Sequence, residues 1–74
     1  MEKQTALKEI SNEHGIASST YKKFNSAHEG YAVILEELEE LWGEIKKKNP
    51  DYRKMEIEAR QVGAMALRFL TDII

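Results

Sequence analysis

A run of apolar side chains recurs at spacings of three and four residues through the middle of the chain, and it leaves few alternatives for the fold. At about 100° per residue these side chains fall within an arc of roughly 120°, which is typical of an amphipathic α-helix. They are Tyr31, Ile34, Leu35, Leu38, Leu41, Trp42 and Ile45. Ser26 and Glu29 match a capping box, in which each side chain satisfies a free amide at a helix start. We predict a long helix from about residue 27 to the basic triplet at 46–48, where cations suit the end of a helix.

A proline at position 50 stops this helix, and Asn49 or Asp51 is placed to cap a second one over about residues 51–73. The apolar face of this last helix comprises Met55, Ala59, Val62, Met65, Ala66, Phe69, Leu70 and Ile73. Gly63 beside that face permits close approach of a neighbour. Two helices of similar length joined by a short loop predict an antiparallel hairpin over about residues 27–73, each leg on the order of 30 Å long.

The amino-terminal part predicts a short helix over about residues 2–14, which Gly15 would end by taking the left-handed conformation. Residues 18–25 are expected to form one or two turns, with Tyr21 and Phe24 on one side to close the end of a bundle. The sequence therefore predicts one all-α domain over residues 1–74. A chain of this size buries only about 60% of the surface of its unfolded form, so we expect a thin core and self-association.

Composition excludes several classes of protein. With 42% apolar and 32% charged residues the chain belongs to the globular rather than the disordered class. A net charge of -2, with acids and bases interleaved, argues against nucleic-acid binding. There is no Cys, the first residues lack the apolar run of a signal peptide, and no segment approaches the roughly 18 apolar residues of a membrane span. We expect a soluble, cytoplasmic protein that binds neither membranes nor nucleic acid.

The stretch EELEELWGE, residues 36–44, contains five carboxylates in nine residues. Glu36 and Glu39 point away from the apolar arc, where water solvates them. Glu37, Glu40 and Glu44 instead line one flank of the predicted helix. The apolar side chain of Val33 lies among them, and this flank is expected to face another part of the molecule.

Glu58 is the most unusual acid, because helical spacing places it within the apolar face of the last helix. An unpaired carboxylate there costs several kcal/mol, so it must be protonated, paired with a cation or bound to a metal. One interpretation is an ion pair with Lys54, Arg68 or a lysine of the long helix. The other is a metal site, in which Glu58 and Gln61 face Glu37 and Glu40 across the hairpin. Such oxygen ligands suit Mg²⁺ or Mn²⁺.

These residues resemble a known family. The resemblance is to the MazG-type all-α nucleoside triphosphate pyrophosphohydrolases, which have paired motifs EExxE and ExxD. The first motif is similar to Glu36-Glu37-Leu38-Glu39-Glu40, and the second, after seventeen intervening residues, to Glu58-Ala59-Arg60-Gln61. The likeness covers roughly residues 28–72. It implies a dimeric or tetrameric four-helix bundle that hydrolyses a nucleoside triphosphate to the monophosphate and pyrophosphate. Clearing of unwanted nucleotides is the biological role that the resemblance suggests.

The resemblance also implies roles for individual residues. Glu37, Glu40 and Glu58 would be the ligands of Mg²⁺, or of Mn²⁺, and Glu36 or Glu37 would activate water. Gln61 stands where the family has its last Asp, so three carboxylates remain where four are expected. Two alternatives to an enzyme therefore stand. One is a catalytically degenerate module for binding or assembly, and the other is a plain oligomerisation domain without a ligand.

Basic and aromatic side chains offer weaker candidates. Lys54 and Arg68 lie along the same edge as Gln61 and could contact phosphate, although a solvated or ion-paired role fits each of them as well. Trp42 and Tyr31 could stack on a nucleobase, but their place on the main apolar arc favours packing in the core.

Overall fold

A computed structural model describes all 74 residues of the chain and contains three α-helices and no strand. The helices are α1 (Lys3–Thr20), α2 (Ala27–Ile45) and α3 (Tyr52–Ile73). They form one compact body of 38 × 26 × 19 Å, which confirms the predicted all-α class. None of the three is both long and apolar enough to cross a membrane.

Side-chain caps define where the two helices of the hairpin begin. The Ser26 hydroxyl accepts a hydrogen bond from the Glu29 amide at 3.1 Å, as predicted. The Glu29 carboxylate reaches back one residue further than in a standard capping box and accepts from the Asn25 amide at 3.0 Å. At the second helix Asp51 accepts from the Arg53 amide at 2.9 Å, so Asp51 is the cap.

Helix α1 is longer than the sequence indicates. The predicted stop at Gly15 is wrong, because no glycine in the chain adopts positive φ and the helix continues to Thr20. The Thr20 hydroxyl donates to the Ile16 carbonyl at 2.7 Å in the last turn. The separate turns expected over residues 18–25 are also wrong, because residues 18–20 belong to α1 and residues 21–25 form no helical turn.

The connection between α1 and α2 is fixed to the end of α3. The Phe24 amide donates to the Asp72 carboxylate at 3.1 Å, and Arg68 donates to the Lys22 carbonyl at 3.1 Å. The Arg68 guanidinium lies 4.2 Å from the centre of the Phe24 ring. Phe24 is buried as expected for a plug at the end of the bundle, whereas Tyr21 is exposed. Two charged side chains of α3 thus order a segment that has no secondary structure of its own.

Helix α3 is the centre of the fold, since it packs against both other helices, whereas no Cα atom of α1 lies within 8 Å of one in α2. The core is small. Its buried apolar residues are Ala17, Phe24, Ala64 and Met65. No large side chain is completely buried. Apolar surface burial is the main driving force of folding, so a single chain of this kind has little stability to spare.

The rotation of α2 differs from the expectation. Five residues of its apolar arc, here called the apolar stripe, are 37–64% exposed. They are Tyr31, Leu35, Leu38, Trp42 and Ile45. The flank that carries Val33, Glu37 and Glu44 is half-buried instead. The prediction that Tyr31 and Trp42 pack in the core is therefore wrong for the single chain.

Close approach at Gly30 accounts for this rotation. Gly30 is buried, and a Cβ atom added there would lie 2.6 Å from Cδ2 of Phe69 and 3.2 Å from Cδ2 of Phe24. The side of α2 that faces α3 is therefore the side that contains Gly30, and the apolar stripe is turned away from α3.

Replacing Gly30 with Ala is expected to lower the free energy of unfolding by about 1–3 kcal/mol, because the new methyl group overlaps the Phe69 ring. The matched control is Gly15→Ala, where no atom lies within 4 Å of the added Cβ. That change should raise the free energy of unfolding by about 0.5–1 kcal/mol through helix propensity. Urea unfolding of both variants measures the difference. Equal stabilisation by both changes would contradict the close contact at Gly30.

Candidate functional site

Three carboxylates meet where α2 crosses α3. Glu37 and Glu40, one helical turn apart on α2, approach Glu58 on α3, and one oxygen atom from each lies within 4.8 Å of the others. Glu37 and Glu58 are half-buried and Glu40 is exposed. The structure thus brings together the three acids that the sequence places on facing sides of the hairpin. Their role as metal ligands stays a prediction.

None of the three acids has a cationic partner. The ion pairs of the chain are Lys47 with Glu44, Arg60 with Glu9, Glu13 and Glu56, and Arg68 with Asp72. Glu58 therefore does not form the structural ion pair with Lys54 or Arg68 that was one interpretation of its position. The cluster holds closely spaced carboxyl groups whose mutual repulsion can be relieved by solvent, by protons or by a bound cation.

Burial and mutual repulsion perturb the protonation of this cluster. The pKa of Glu37 is raised from 4.5 to about 7. Burial is the largest cause, followed by the charge and hydrogen bond of Glu40 and then by the charges of Glu58 and Glu36. The pKa of Glu58 is also raised, first by burial, then by its hydrogen bond to Glu40 and the charges of Glu40 and Glu44. Acids perturbed in this way are common at functional sites, although structural networks produce them too.

A cleft lies beside the acids, in the space that α1 and α2 leave between them above α3. Its volume is about 510 Å³, within the range of about 300–1,000 Å³ for small-molecule sites. Glu36, Glu37 and Gln61 are among its lining residues. Its walls also include Ile16, Ala17, Thr20, Tyr21, Val33 and Met65. The sequence did not predict this cleft, because its existence depends on the separation of α1 from α2.

The remaining predicted residues are placed as follows. Glu36 is exposed at the mouth of the cleft, and Gln61 is half-buried in its lining. Lys54 is exposed in the first turn of α3 and forms no ion pair. Tyr31 and Trp42 do not line the cleft, so neither is positioned to stack on a ligand there.

Arg68 is at the base of the cleft, but its side chain is only 5% exposed. Its guanidinium donates to the Lys22 carbonyl and lies 3.9 Å from Asp72. Nε is buried without a hydrogen-bond partner. This placement favours a structural role for Arg68, in holding the connection between α1 and α2, over the predicted contact with phosphate.

Comparisons with protein-family models, with curated proteins and with solved structures give no match. The likeness to the MazG-type enzymes consequently depends on the motif residues and their spacing alone.

Proposed function

We propose that the protein is a Mg²⁺-dependent nucleoside triphosphate pyrophosphohydrolase, which converts a nucleoside triphosphate and water to the monophosphate and pyrophosphate. The observation that carries this proposal is the convergence of Glu37, Glu40 and Glu58 without any cationic partner. Three carboxylates so close together favour binding of a divalent cation, and hard oxygen ligands suit Mg²⁺ or Mn²⁺. The cleft next to them has room for a small organic molecule.

Each residue has a distinct part in the proposed reaction. Glu37, Glu40 and Glu58 hold the cation, which neutralises phosphate oxygens and orients the triphosphate when it is bound. Glu36 is exposed beside Glu37 at the mouth of the cleft, where it accepts a proton from the attacking water. That water forms the new bond to the α-phosphorus while the bond to the bridging oxygen breaks and pyrophosphate leaves.

The proposal includes assembly into a homodimer or tetramer that forms a four-helix bundle. The apolar stripe has spacings of 4, 3, 4 and 3 residues from Tyr31 to Ile45, the repeat with which helices pair in coiled coils. An exposed apolar surface of this kind on a small protein marks an interaction site. A second copy of the chain presents the same stripe, and pairing of the two would cover both.

A pyrophosphate assay tests the catalytic proposal. The protein is incubated with a panel of nucleoside triphosphates and excess Mg²⁺ or Mn²⁺. We expect release of pyrophosphate by the native protein and a fall to background in Glu40→Ala, which loses one cation ligand. Glu39→Ala is the matched control, since Glu39 is an exposed acid next to Glu40 in the same helix, and it should retain activity. No release above the Glu40→Ala background would remove the enzymatic proposal.

The second candidate is a module of the same fold that has lost turnover and serves in binding or assembly. The neutral side chain of Gln61 favours it, because the site has one negative charge fewer than the family motif supplies. Calorimetry separates the two candidates. An enzyme must bind Mg²⁺ together with nucleotide, whereas the module need not.

A further inference from the structure

We propose that the cleft between α1 and α2 binds the planar heterocycle of the nucleotide, and that Gln61 hydrogen-bonds this heterocycle instead of completing the metal site. This inference deepens the proposed function and rests on it for the identity of the ligand. It assigns a specificity role to the position at which the chain departs from the MazG-type motif.

Part of the cleft wall is apolar and fits the face of a flat ring. Ile16, Ala17, Val33 and Met65 supply aliphatic surface there, whereas eight of the fourteen lining residues are polar or charged. Tyr21 stands at the same cleft with 65% of its surface exposed, so one face of its ring is free to stack on a ligand. Recognition sites for small molecules typically combine apolar walls of this kind with a few polar groups that fix orientation.

The charges around the cleft argue against an anion in its interior. Arg68 is engaged by Asp72 and by the Lys22 carbonyl, and its side chain is almost completely buried. Four acids line the cleft, Glu13, Glu29, Glu36 and Glu37, against two bases, Lys22 and Arg68, so the lining is negative on balance. Glu36 and Glu37 have no cationic partner. A phosphate group would be repelled there unless a cation accompanied it, whereas a neutral heterocycle is not. The cleft therefore suits the base, and the acid cluster beside it suits the phosphates with their metal.

Gln61 is an uncharged polar side chain whose hydrogen-bonding groups the protein itself leaves unused in this cleft. It is half-buried in the lining, and its side-chain amide forms no hydrogen bond with another residue of the chain. A carboxamide offers one acceptor and two donors, which match the neighbouring carbonyl and N–H groups, or ring nitrogen and amino groups, on the rim of a base. As a metal ligand it would contribute only a neutral oxygen.

One residue shared by the cleft and the acid cluster connects the two proposed roles. Glu37 belongs both to the acid cluster and to the cleft lining, and Gln61 lies one helical turn after Glu58 on α3. A ligand whose ring contacts Gln61 would thus extend its charged part toward Glu37. In this proposal the three acids hold the metal, and the Gln61 carboxamide hydrogen-bonds the heterocycle.

Nucleosides without phosphate, in the presence of EDTA, test this assignment separately from catalysis. The protein contains two glutamines, Gln61 and Gln4, and Gln4 is exposed in the first turn of α1. In a ¹H–¹⁵N spectrum, millimolar uridine, cytidine, adenosine or guanosine should shift the side-chain NH₂ signals of Gln61 and leave those of Gln4 unchanged. If none of the four shifts the Gln61 signals, the cleft is not a base site and the proposal is overturned.

Two substitutions complete the test by titration calorimetry. Gln61→Met, similar in size and without hydrogen-bonding groups, should weaken nucleoside binding about tenfold, the size of one neutral hydrogen bond, and leave Mn²⁺ affinity within about twofold. Gln61→Asp should tighten Mn²⁺ binding and weaken nucleoside binding. Loss of Mn²⁺ affinity in Gln61→Met with unchanged nucleoside affinity would make Gln61 a metal ligand and overturn the proposal. A protein that releases no pyrophosphate but binds nucleosides through Gln61 would refute only the catalytic proposal.

Discussion

Glu58→Gln is expected to abolish stabilisation of the fold by Mg²⁺ or Mn²⁺, while it raises the free energy of unfolding of the metal-free protein at pH 8. In the native protein, a cation at about 100 times its dissociation constant adds about 2.7 kcal/mol of stability. Removing one carboxylate from the cluster removes most of that gain. The same change relieves the repulsion among Glu37, Glu40 and Glu58, which stabilises the metal-free protein by about 1 kcal/mol.

The pH dependence of the same cluster has a defined sign. The pKa of Glu37 is about 7 in the folded protein, above its ordinary value of 4.5, so the folded state binds more protons than the unfolded state between these two pH values. Without metal, the contribution of Glu37 is complete below about pH 4.5 and is lost as the pH rises through about 7. After allowance for solvent screening the loss is on the order of 1 kcal/mol. Metal competes with the protons, so Mn²⁺ should stabilise the protein more at pH 8 than at pH 5.

Thermal unfolding at pH 5 and pH 8, with EDTA or Mn²⁺, measures these effects. Glu39→Gln is the control, because it removes an exposed charge from α2 outside the cluster and should leave all four melting temperatures nearly unchanged. If Mn²⁺ does not stabilise the native protein, or stabilises Glu58→Gln equally, the acids do not form a metal site and a helical bundle without metal remains.

Leu38→Lys is expected to convert the assembled protein to monomers. Leu38 is the central residue of the apolar stripe and is 48% exposed in the single chain, so a charge there costs little in the monomer. In an assembly that pairs two stripes, the same charge would be buried without a partner, at a cost of several kcal/mol. Since the core of one chain is small, the monomeric variant should also unfold at a lower temperature than the native assembly.

Light scattering after size exclusion measures the mass directly, and the fluorescence of Trp42 reports whether the stripe is covered. Leu7→Lys is the matched control: Leu7 is 50% exposed on α1 and lies outside the stripe. It should leave the mass and the Trp42 emission unchanged. A native protein that is monomeric at micromolar concentration, with Trp42 emitting as in water, would refute the predicted assembly.

The sequence predicts the elements of this fold better than their mutual orientation. Local signals such as the cap at Ser26 and the stop before Pro50 are short-range, and the structure has helix boundaries at both places. The apolar arc of α2 has two sides, and periodicity alone does not indicate which side faces the same chain. A contact between residues far apart in the sequence, Gly30 against Phe69, determines that choice.

The candidate site shows the same limit. Helical spacing identifies Glu58 as an acid on an apolar face and Glu37 with Glu40 as a flank, so their convergence follows once the hairpin is given. The cleft does not follow, because it requires the angle at which α1 lies on α3. The predicted helix end at Gly15 is wrong for a related reason. In a single sequence, a glycine inside a helix cannot be distinguished from a glycine that ends one.

The wide spacing of α1 from α2 means that the cleft and the acid cluster depend on different pairs of helices. The width of the cleft depends on α1, whereas the acids lie on α2 and α3. A change in the tilt of α1 would widen or narrow the space next to Tyr21 and Gln61, yet the distances among the three acids depend only on how α2 crosses α3. On the proposed function, substitutions of α1 remote from Glu37 would change which molecules the cleft admits, with little effect on the acids of α2 and α3. Glu37 is the residue through which the two properties would remain linked, since it belongs to both the cleft and the cluster.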